Sequence, residues 1–559
     1  MPTQSAKQKE TYYDLGTYSR RITTKSAEAQ IWFDRGLIWC YAFNHEEATK
    51  CFERAIALDP DCVMAYWGVA YALGPNYNKP WDLFEHEEML SATERTHNAV
   101  EKAMEVAESA TPAERALVQA LRKRYPKSQN TDVEECSIWN KEYADAMSAV
   151  NAEFPDDLDV ATLYADSMMN LTPWQMWDIR TGEPASGART LETKRILDHA
   201  LSLPGGREHP GCLHLYIHLM EISKTPEAGM PAADCLRNLV PDAGHLNHMP
   251  SHLDVLVGDY AASVKANTNA IHADEKFLAR EGAMNFYTLY RSHDYHFRLY
   301  GAMFSGQSRI ALETVDMLEA SISEQLLRVE SPPMADWLEG FLAMRMHALI
   351  RFGMWEEVLK LELPKDQDLY CVCTALTHYA KGMAHAALGN IDEAKKDQSL
   401  FQEACRNVKE SRTLFNNKCV DILKVGASML DGEVEYRAGN YDVAFEHLRK
   451  SITLYDDLPY DEPWGWMQPA RHAYGALLLE QGHVNEAMAV YKADLGVDDS
   501  LPRAHQHPNN VWALHGYHEC LVKTGQTAEA DLVSAQLQVA LKAADIPIKS
   551  SCFCRTKVQ

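Results

Sequence analysis

The chain has 559 residues, enough for roughly three or four average domains or for one long array of repeats. Aspartate and glutamate number 79 against 54 lysines and arginines, which gives a formal net charge of −25. This balance argues against a nucleic-acid partner, because phosphate affinity needs clustered cations. No apolar run approaches the roughly 20 residues that span a bilayer, so we expect no membrane partner.

The N-terminal segment, residues 1–29, has no apolar signal-peptide region. Thirteen cysteines are scattered along the chain. Since export is not indicated, we expect these cysteines to be reduced thiols in a cytoplasmic protein.

The first repeat lies in residues 32–60, WFDRGLIWCYAFNHEEATKCFERAIALDP. Small and large apolar residues alternate here at the spacing of two antiparallel helices that approach closely: Trp32, Gly36, Trp39, Ala48, Phe52, Ala55 and Pro60. This pattern resembles the tetratricopeptide repeat (TPR), a unit of about 34 residues. The next unit continues with Trp67, Gly68 and Tyr71.

Weaker copies of the pattern follow in the C-terminal half, at Gly382, Gly389, Ala394, Gly432, Gly439, Ala444, Gly475, Gly482, Ala487, Gly525 and Ala530. In the last copy, His518 stands where a small residue is expected. Strand signals are nearly absent. We therefore predict an all-α, TPR-like α-solenoid of antiparallel helix pairs, wound into a strongly curved or closed superhelix.

The predicted organisation has five parts. After the N-terminal segment come N-terminal TPR-like repeats at 30–179, degenerate repeats at 180–305, C-terminal TPR-like repeats at 306–546 and a tail at 547–559.

Histidines are concentrated in the degenerate part, where nine lie between His209 and His296. In HLYIHLME, HLNHMPSH and HDYH they are three or four residues apart, so they share a helix face. This spacing lets one helix offer two imidazoles to one metal ion. We predict that three helices converge on one or two ions, with candidate ligands His214, His218, His245, His248, His252, His293 and His296.

Within the second motif, Pro250 either starts a helix or kinks a longer one. His209 and His272 lack a facing partner and are left out of the ligand set.

Carboxylates near these motifs are candidates to orient the imidazoles through their other ring nitrogen, namely Glu221, Asp254 and Asp294. Candidate pocket residues are His45, Trp174, Trp177, Glu462 and Trp464. Each has a structural alternative: His45 follows a helix N-cap at Asn44, and the tryptophans are equally suited to core packing or loop anchoring.

Several longer segments resemble a group of bacterial and fungal TPR proteins: residues 43–78, 170–178, 209–223, 243–260, 460–471, 508–516 and 550–554. The resemblance covers most of the chain. It implies a TPR-like fold with a histidine-bearing core, and it implies no particular reaction.

Two functions compete. The first is a metal-dependent enzyme that acts on a small organic molecule, with zinc, copper or iron as the cofactor because nitrogen ligands favour these metals. A metal carrier or sensor would use the same residues without turnover. The second is a scaffold that binds a peptide or protein partner in a concave groove, with structural histidines.

Overall fold

The computed structural model describes residues 12–556. The helices of the N-terminal half are α1 (Ala27–Tyr41), α2 (His45–Leu58), α3 (Val63–Leu73), α4 (His86–Glu105), α5 (Pro112–Arg124), α6 (Val133–Glu153), α7 (Leu158–Met169), α8 (Thr190–Ser202), α9 (Pro210–Met220), α10 (Met230–Leu236), α11 (Gly244–His248), α12 (Pro250–Val257), α13 (Tyr260–Glu281) and α14 (Thr288–Phe304).

The C-terminal half adds α15 (Ser308–Ser321), α16 (Glu324–Leu327), α17 (Met334–Leu338), α18 (Met344–Arg351), α19 (Trp355–Leu359), α20 (Cys371–Ala387), α21 (Ile391–Asn407), α22 (Cys419–Arg437), α23 (Tyr441–Asp456), α24 (Ala470–Glu480), α25 (Val484–Leu495), α26 (Val511–Lys523) and α27 (Thr527–Ala540). Within residues 12–556 the only strands are a small antiparallel hairpin, β1 (Thr413–Leu414) and β2 (Asn417–Lys418). The prediction of an all-α solenoid is confirmed.

Small residues set the distance between paired helices, as the repeat pattern predicts. The Phe52 ring of α2 lies between Gly36 of α1 and Gly68 of α3, and a Cβ at either glycine would come within 2.6 Å of that ring. In the C-terminal array, Tyr491 lies in the same way between Gly475 and Gly516. The small residue of the last unit is thus Gly516, and the assignment of that place to His518 was wrong by two positions.

The superhelix turns far enough for distant repeats to touch. Lys50 of α2 forms an ion pair with Glu281 at the end of α13, with Nζ and Oε2 2.6 Å apart. On another side, Arg503 donates to the carbonyl oxygen of Leu256 at 2.6 Å. Through these contacts, segments that are distant in the sequence meet near α9, α11, α12 and α14, the helices that carry the predicted ligands.

Pro250 starts a helix and is not a kink inside one, because α12 begins at this residue directly after the short α11. Met249 between them keeps a helical backbone conformation. His248 and His252 therefore remain one helical turn apart.

One expectation about the cysteines is wrong, because Cys552 and Cys554 are joined in a disulfide. The other cysteines of the described chain are unpaired, and most are buried. No helix in residues 12–556 is both long and apolar enough to cross a membrane.

Candidate functional site

Six of the seven predicted ligands lie together inside the solenoid. They form two adjacent groups, His214 with His218 and His245, and His248 with His252 and His293, whose nitrogens lie within 4.8 Å of one another in each group. The rings continue from one group into the next, with centroids of His218 and His252 5.4 Å apart and those of His245 and His248 5.7 Å apart. None of the six residues is more than 7% exposed.

The Nδ1 atoms on one side of the cluster face fixed oxygen atoms. Nδ1 of His214 lies 2.6 Å from the carbonyl oxygen of Tyr41, and Nδ1 of His218 lies 3.0 Å from Oε1 of Glu221. Donation from Nδ1 leaves Nε2 with a lone pair, which is the tautomer that metal-binding histidines use. Within the described chain, Nε2 of both rings has no hydrogen-bond partner.

His245 lies in the same group without any hydrogen bond from its ring, since neither nitrogen has a partner in residues 12–556. Because a buried polar atom without a partner costs about 1–3 kcal/mol, three such rings in contact are unusual in a core that serves only packing.

Two carboxylates reach His252. Oε2 of Glu221 lies 2.6 Å from its Nδ1, and Oε2 of Glu462 lies 2.7 Å from the same atom. Glu221 thus contacts His218 and His252, one ring from each group. Together with the two carboxylates, these rings form a third group that could hold a metal ion, His218, Glu221, His252 and Glu462, with ligand atoms within 4.8 Å of one another.

The second group brings two lone pairs against each other. Asn267 donates through Nδ2 to the carbonyl oxygen of Ser263, which fixes its Oδ1 as the acceptor for Nδ1 of His248 at 2.7 Å. Since Nδ1 of His252 faces carboxylates, both Nε2 atoms are left as acceptors, and they lie only 2.6 Å apart. A positive charge between the two atoms, a proton or a metal ion, is needed to relieve their repulsion.

Burial keeps five of the six imidazoles neutral. It lowers the pKa of His214 to about 3, and it lowers the pKa values of His218, His245, His248 and His293 well below the usual value, with neighbouring histidines adding to the effect. Burial and the adjacent Glu462 together raise the pKa of Glu221. Neutral imidazole is the form that binds metals at pH 7.

Aromatic rings enclose the cluster. Phe43, in the turn between α1 and α2, lies 4.4 Å from His214 and 5.3 Å from His245 between ring centroids. Trp174 meets His218 edge-on at 5.5 Å. Two cavities lie beside these rings: one of about 110 Å³ includes Phe43 and His45 in its wall, and one of about 40 Å³ includes His252, Glu462 and Trp464.

Three of the predicted site residues have other contacts. His296 points away from the cluster, with Nε2 2.9 Å from the sulfur of Met467. Asp254 is held by Arg237 at 3.0 Å, and Trp177 donates to the carbonyl oxygen of Leu219 at 2.5 Å.

Asp294 is the intermediate case, because it lies 3.4 Å from Nδ1 of His248 while Asn267 is the closer partner. The contribution of Asn267, of the Tyr41 carbonyl and of Phe43 was not predicted. FNHEEA was the one sequence signal near Phe43, and it pointed to His45 instead.

Comparisons with known proteins address the fold. The family model described as tetratricopeptide repeat matches residues 29–62. The search of curated proteins gives no match. Among solved structures, the chain is similar at 12% identity to the APC/C hetero-tetramer Cut9–Hcn1, with a TM-score of 0.30, covering 92% of this chain and 76% of that chain.

It is also similar at 12% identity to yeast Tom70, with a TM-score of 0.25 and coverage of 91% and 99% of the two chains. A third similarity, to Naa15/Naa10 bound to HypK-THB, has 12% identity, a TM-score of 0.20 and coverage of 92% and 70%. Residues 29–62 thus match a tetratricopeptide repeat, and antiparallel helix pairs continue after it along the described chain.

Proposed function

We propose that the chain is a metalloprotein that holds two transition-metal ions in its interior and uses them in a reaction on a small organic molecule. One ion is assigned to His214, His218 and His245, and the other to His248, His252 and His293. Zinc, copper and iron are the metals that suit imidazole ligands.

The observation that carries the proposal is the pair of facing Nε2 atoms on His248 and His252. Their Nδ1 atoms are engaged by Asn267 and by carboxylates, so the two Nε2 atoms share a hydrogen bond only when a proton comes from Glu221, whose pKa is raised, and otherwise face each other with lone pairs that a metal ion can use. A metal ion at about 2.0–2.1 Å from each nitrogen would use both lone pairs, after the rings move apart by less than about 1 Å.

Residues around the proposed ions would orient the imidazole ligands and balance the charge of the ions. Glu221 and Glu462 fix the ring of His252 and would offset positive charge in a buried region. A bound ion with an open position supplies a Lewis acid that activates water or dioxygen. The two cavities beside the cluster give the substrate a place to bind.

Elemental analysis of the purified chain tests the proposal. We expect about two transition-metal ions per chain in the wild type, one for each histidine group. His214→Ala combined with His218→Ala removes ligands of one group, so about one ion should be lost. His248→Ala combined with His252→Ala should remove the other ion.

His199→Ala combined with His272→Ala is the matched control, because both residues are exposed helix positions outside the cluster. This control should keep the full metal content. The proposal is wrong if the wild type contains no stoichiometric metal and takes up neither zinc, copper nor iron when these are added.

The repeat itself favours a second candidate, a scaffold that binds a peptide or protein partner. The match at residues 29–62 is to a repeat that commonly presents grooves to such partners. Fold alone does not decide between the two functions. In a scaffold without metal, the cluster variants would leave both partner binding and metal content unchanged.

A further inference from the structure

The cavity of about 110 Å³ beside Phe43 is a candidate ligand site next to the cluster. Its walls come from the start of α2, from the loop after α3 and from the segment before α14. For comparison, an engineered apolar cavity of about 150 Å³ binds benzene. The space is somewhat smaller than that, so it suits a small flat molecule that extends partly out of the cavity, and Glu46, which is exposed, marks its side towards solvent.

Two polar residues of its wall, Asn44 and Lys79, bear on what the cavity can bind. Asn44 is 1% exposed, and its Nδ2 has no hydrogen-bond partner in the described part of the chain. Its Oδ1 is already used as the N-cap of α2, where it accepts from the backbone N–H of Glu47 at 3.3 Å. The orientation of the amide is thus fixed, and what Asn44 offers to a ligand is a donor.

Lys79 adds a positive charge to the wall of the cavity. Its ammonium group lies over the rings of Phe84 and Phe286, 4.6 and 4.7 Å from their centroids. It also pairs with Glu88, whose side chain is 40% exposed. The two aromatic rings and Glu88 hold the ammonium group of Lys79 at the cavity. Because Glu88 is half-exposed and its pairing with Lys79 is therefore weak, the ammonium group can also bind a ligand.

Phe43 separates this cavity from the histidines. Phe43 lines the cavity, and its ring also contacts His214, His218 and His245. Its backbone has φ +55°, a left-handed conformation that costs a phenylalanine on the order of 1 kcal/mol. The turn between α1 and α2 therefore keeps this ring in place at the expense of local strain.

We propose that this cavity binds a small organic carboxylate with a flat apolar body, held at its charged end by Asn44 and Lys79 and separated from the histidine cluster by the ring of Phe43. The inference goes beyond the proposed function and does not rest on it, because a ligand that Phe43 separates from the cluster is out of reach of ions bound there. The binding site itself does not depend on the ions.

The polar atoms select the anion over other ligands. A donor N–H and an ammonium group together match the two oxygens of a carboxylate, and such charge-assisted hydrogen bonds are the strong ones. An organic cation would leave Nδ2 of Asn44 unpaired and would be repelled by Lys79. A neutral alcohol would meet only one of the two groups.

Benzoate is the test ligand, with benzyl alcohol and benzylammonium as neutral and cationic analogues. Calorimetric titration of the full-length protein should show one benzoate site per chain and at least tenfold weaker binding of both analogues. Asn44→Asp keeps an effective N-cap but replaces the donor by a negative charge, so we expect benzoate affinity to fall at least tenfold. Lys79→Gln should have a similar effect.

A third variant predicts a gain. Glu88→Gln removes the competing carboxylate from Lys79, so benzoate should bind more tightly, by threefold or more. Asn390→Asp at the start of α21 and Lys102→Gln in the exposed pair with Glu105 are matched controls that should leave binding unchanged. Equal binding of the three ligands, or benzoate binding that Lys79→Gln and Glu88→Gln both leave unaltered, would overturn the proposal.

A separate experiment measures how close the bound benzoate lies to the histidine cluster. In protein loaded with copper(II), the proton resonances of bound benzoate should broaden, and the His248→Ala/His252→Ala and His214→Ala/His218→Ala combinations should reduce this effect. Benzoate binding without any metal uptake would contradict the metalloprotein proposal and leave the carboxylate site standing. Metal uptake without benzoate binding would contradict the carboxylate site alone.

Discussion

Some buried histidines of the described chain have partners for both ring nitrogens, and others do not. The cluster contains histidines of the second kind. His472 has both nitrogens engaged, Nε2 with Asp494 at 2.9 Å and Nδ1 with Arg351 at 3.1 Å. His507 likewise contacts Asp494 at 2.9 Å and the hydroxyl of Tyr455 at 3.3 Å. The cluster histidines leave lone pairs without partners among residues 12–556, which a purely structural role does not require.

The buried carboxylate of Asp494 allows a prediction of how the free energy of unfolding depends on pH. Burial opposes its charge, but the hydrogen bonds and charges of His472 and His507 outweigh burial and lower its pKa. A lowered pKa contributes stability above the unfolded-state value of about 4, and that contribution is lost as the pH falls further. Asp494→Asn should therefore cost roughly 2–3 kcal/mol at pH 7.

Urea unfolding of wild type and Asp494→Asn between pH 3 and pH 7 measures this cost. The difference in unfolding free energy should be constant above about pH 5 and should shrink below about pH 4. A difference that grows as the pH falls would contradict the assignment.

At the scale of the element, the helix pairs depend on close packing at glycine. A Cβ on Gly68 would lie 2.5 Å from Cδ1 of Phe52, so Gly68→Ala forces the ring to move. We expect a loss of about 1–3 kcal/mol in the free energy of unfolding. Phe52→Leu in the same chain should restore part of it, because the smaller side chain leaves room for the new methyl group.

A double-mutant cycle on Gly68 and Phe52, followed by denaturant unfolding, tests this coupling. The double variant should be more stable than the sum of the two single losses predicts, by at least about 0.5 kcal/mol. Strict additivity would mean that the glycine does not set the helix distance here.

Much of the fold was predictable at this scale, since Gly36, Phe52 and Gly68 recur at the spacing of a known repeat. The candidate site was predictable only in part. The spacing within each motif brought His214 next to His218, but His296 is about 60° around the helix from His293 and faces Met467.

Partners from distant segments left no local signal in the sequence. The Tyr41 carbonyl, Asn267 and Phe43 reach the cluster only through the curvature of the superhelix. Any tyrosine has a carbonyl, and asparagine and phenylalanine are common in helices and turns, so nothing about these residues alone marks them.

At the scale of the whole molecule, the cluster joins segments that are far apart in the sequence. Its rings belong to α9, α11, α12 and α14, and Glu462 comes from the loop before α24. A ligand that binds only the folded state stabilises it, by about 2.7 kcal/mol at a concentration one hundred times its Kd. Metal ions in the cluster should therefore stabilise the superhelix as a unit.

Removal of metal with a chelator should lower the midpoint of thermal unfolding and speed chymotrypsin cleavage in the loop at residues 457–469, which includes Trp464 and Trp466. Scanning calorimetry and limited proteolysis measure the two effects. The His248→Ala/His252→Ala variant should respond less to the chelator than the wild type. Identical thermograms before and after chelation of the wild type would contradict the prediction.

Glu462 has a consequence for the way the chain is made. During translation all six imidazoles leave the ribosome well before this carboxylate, which contacts His252 in the finished fold. A nascent chain that stops before residue 462 presents the nitrogen ligands without one of the two acids that orient them. If the proposed ions bind, their correct loading is thus a late event of biosynthesis, and a prematurely terminated chain lacks one of the two carboxylates that contact His252.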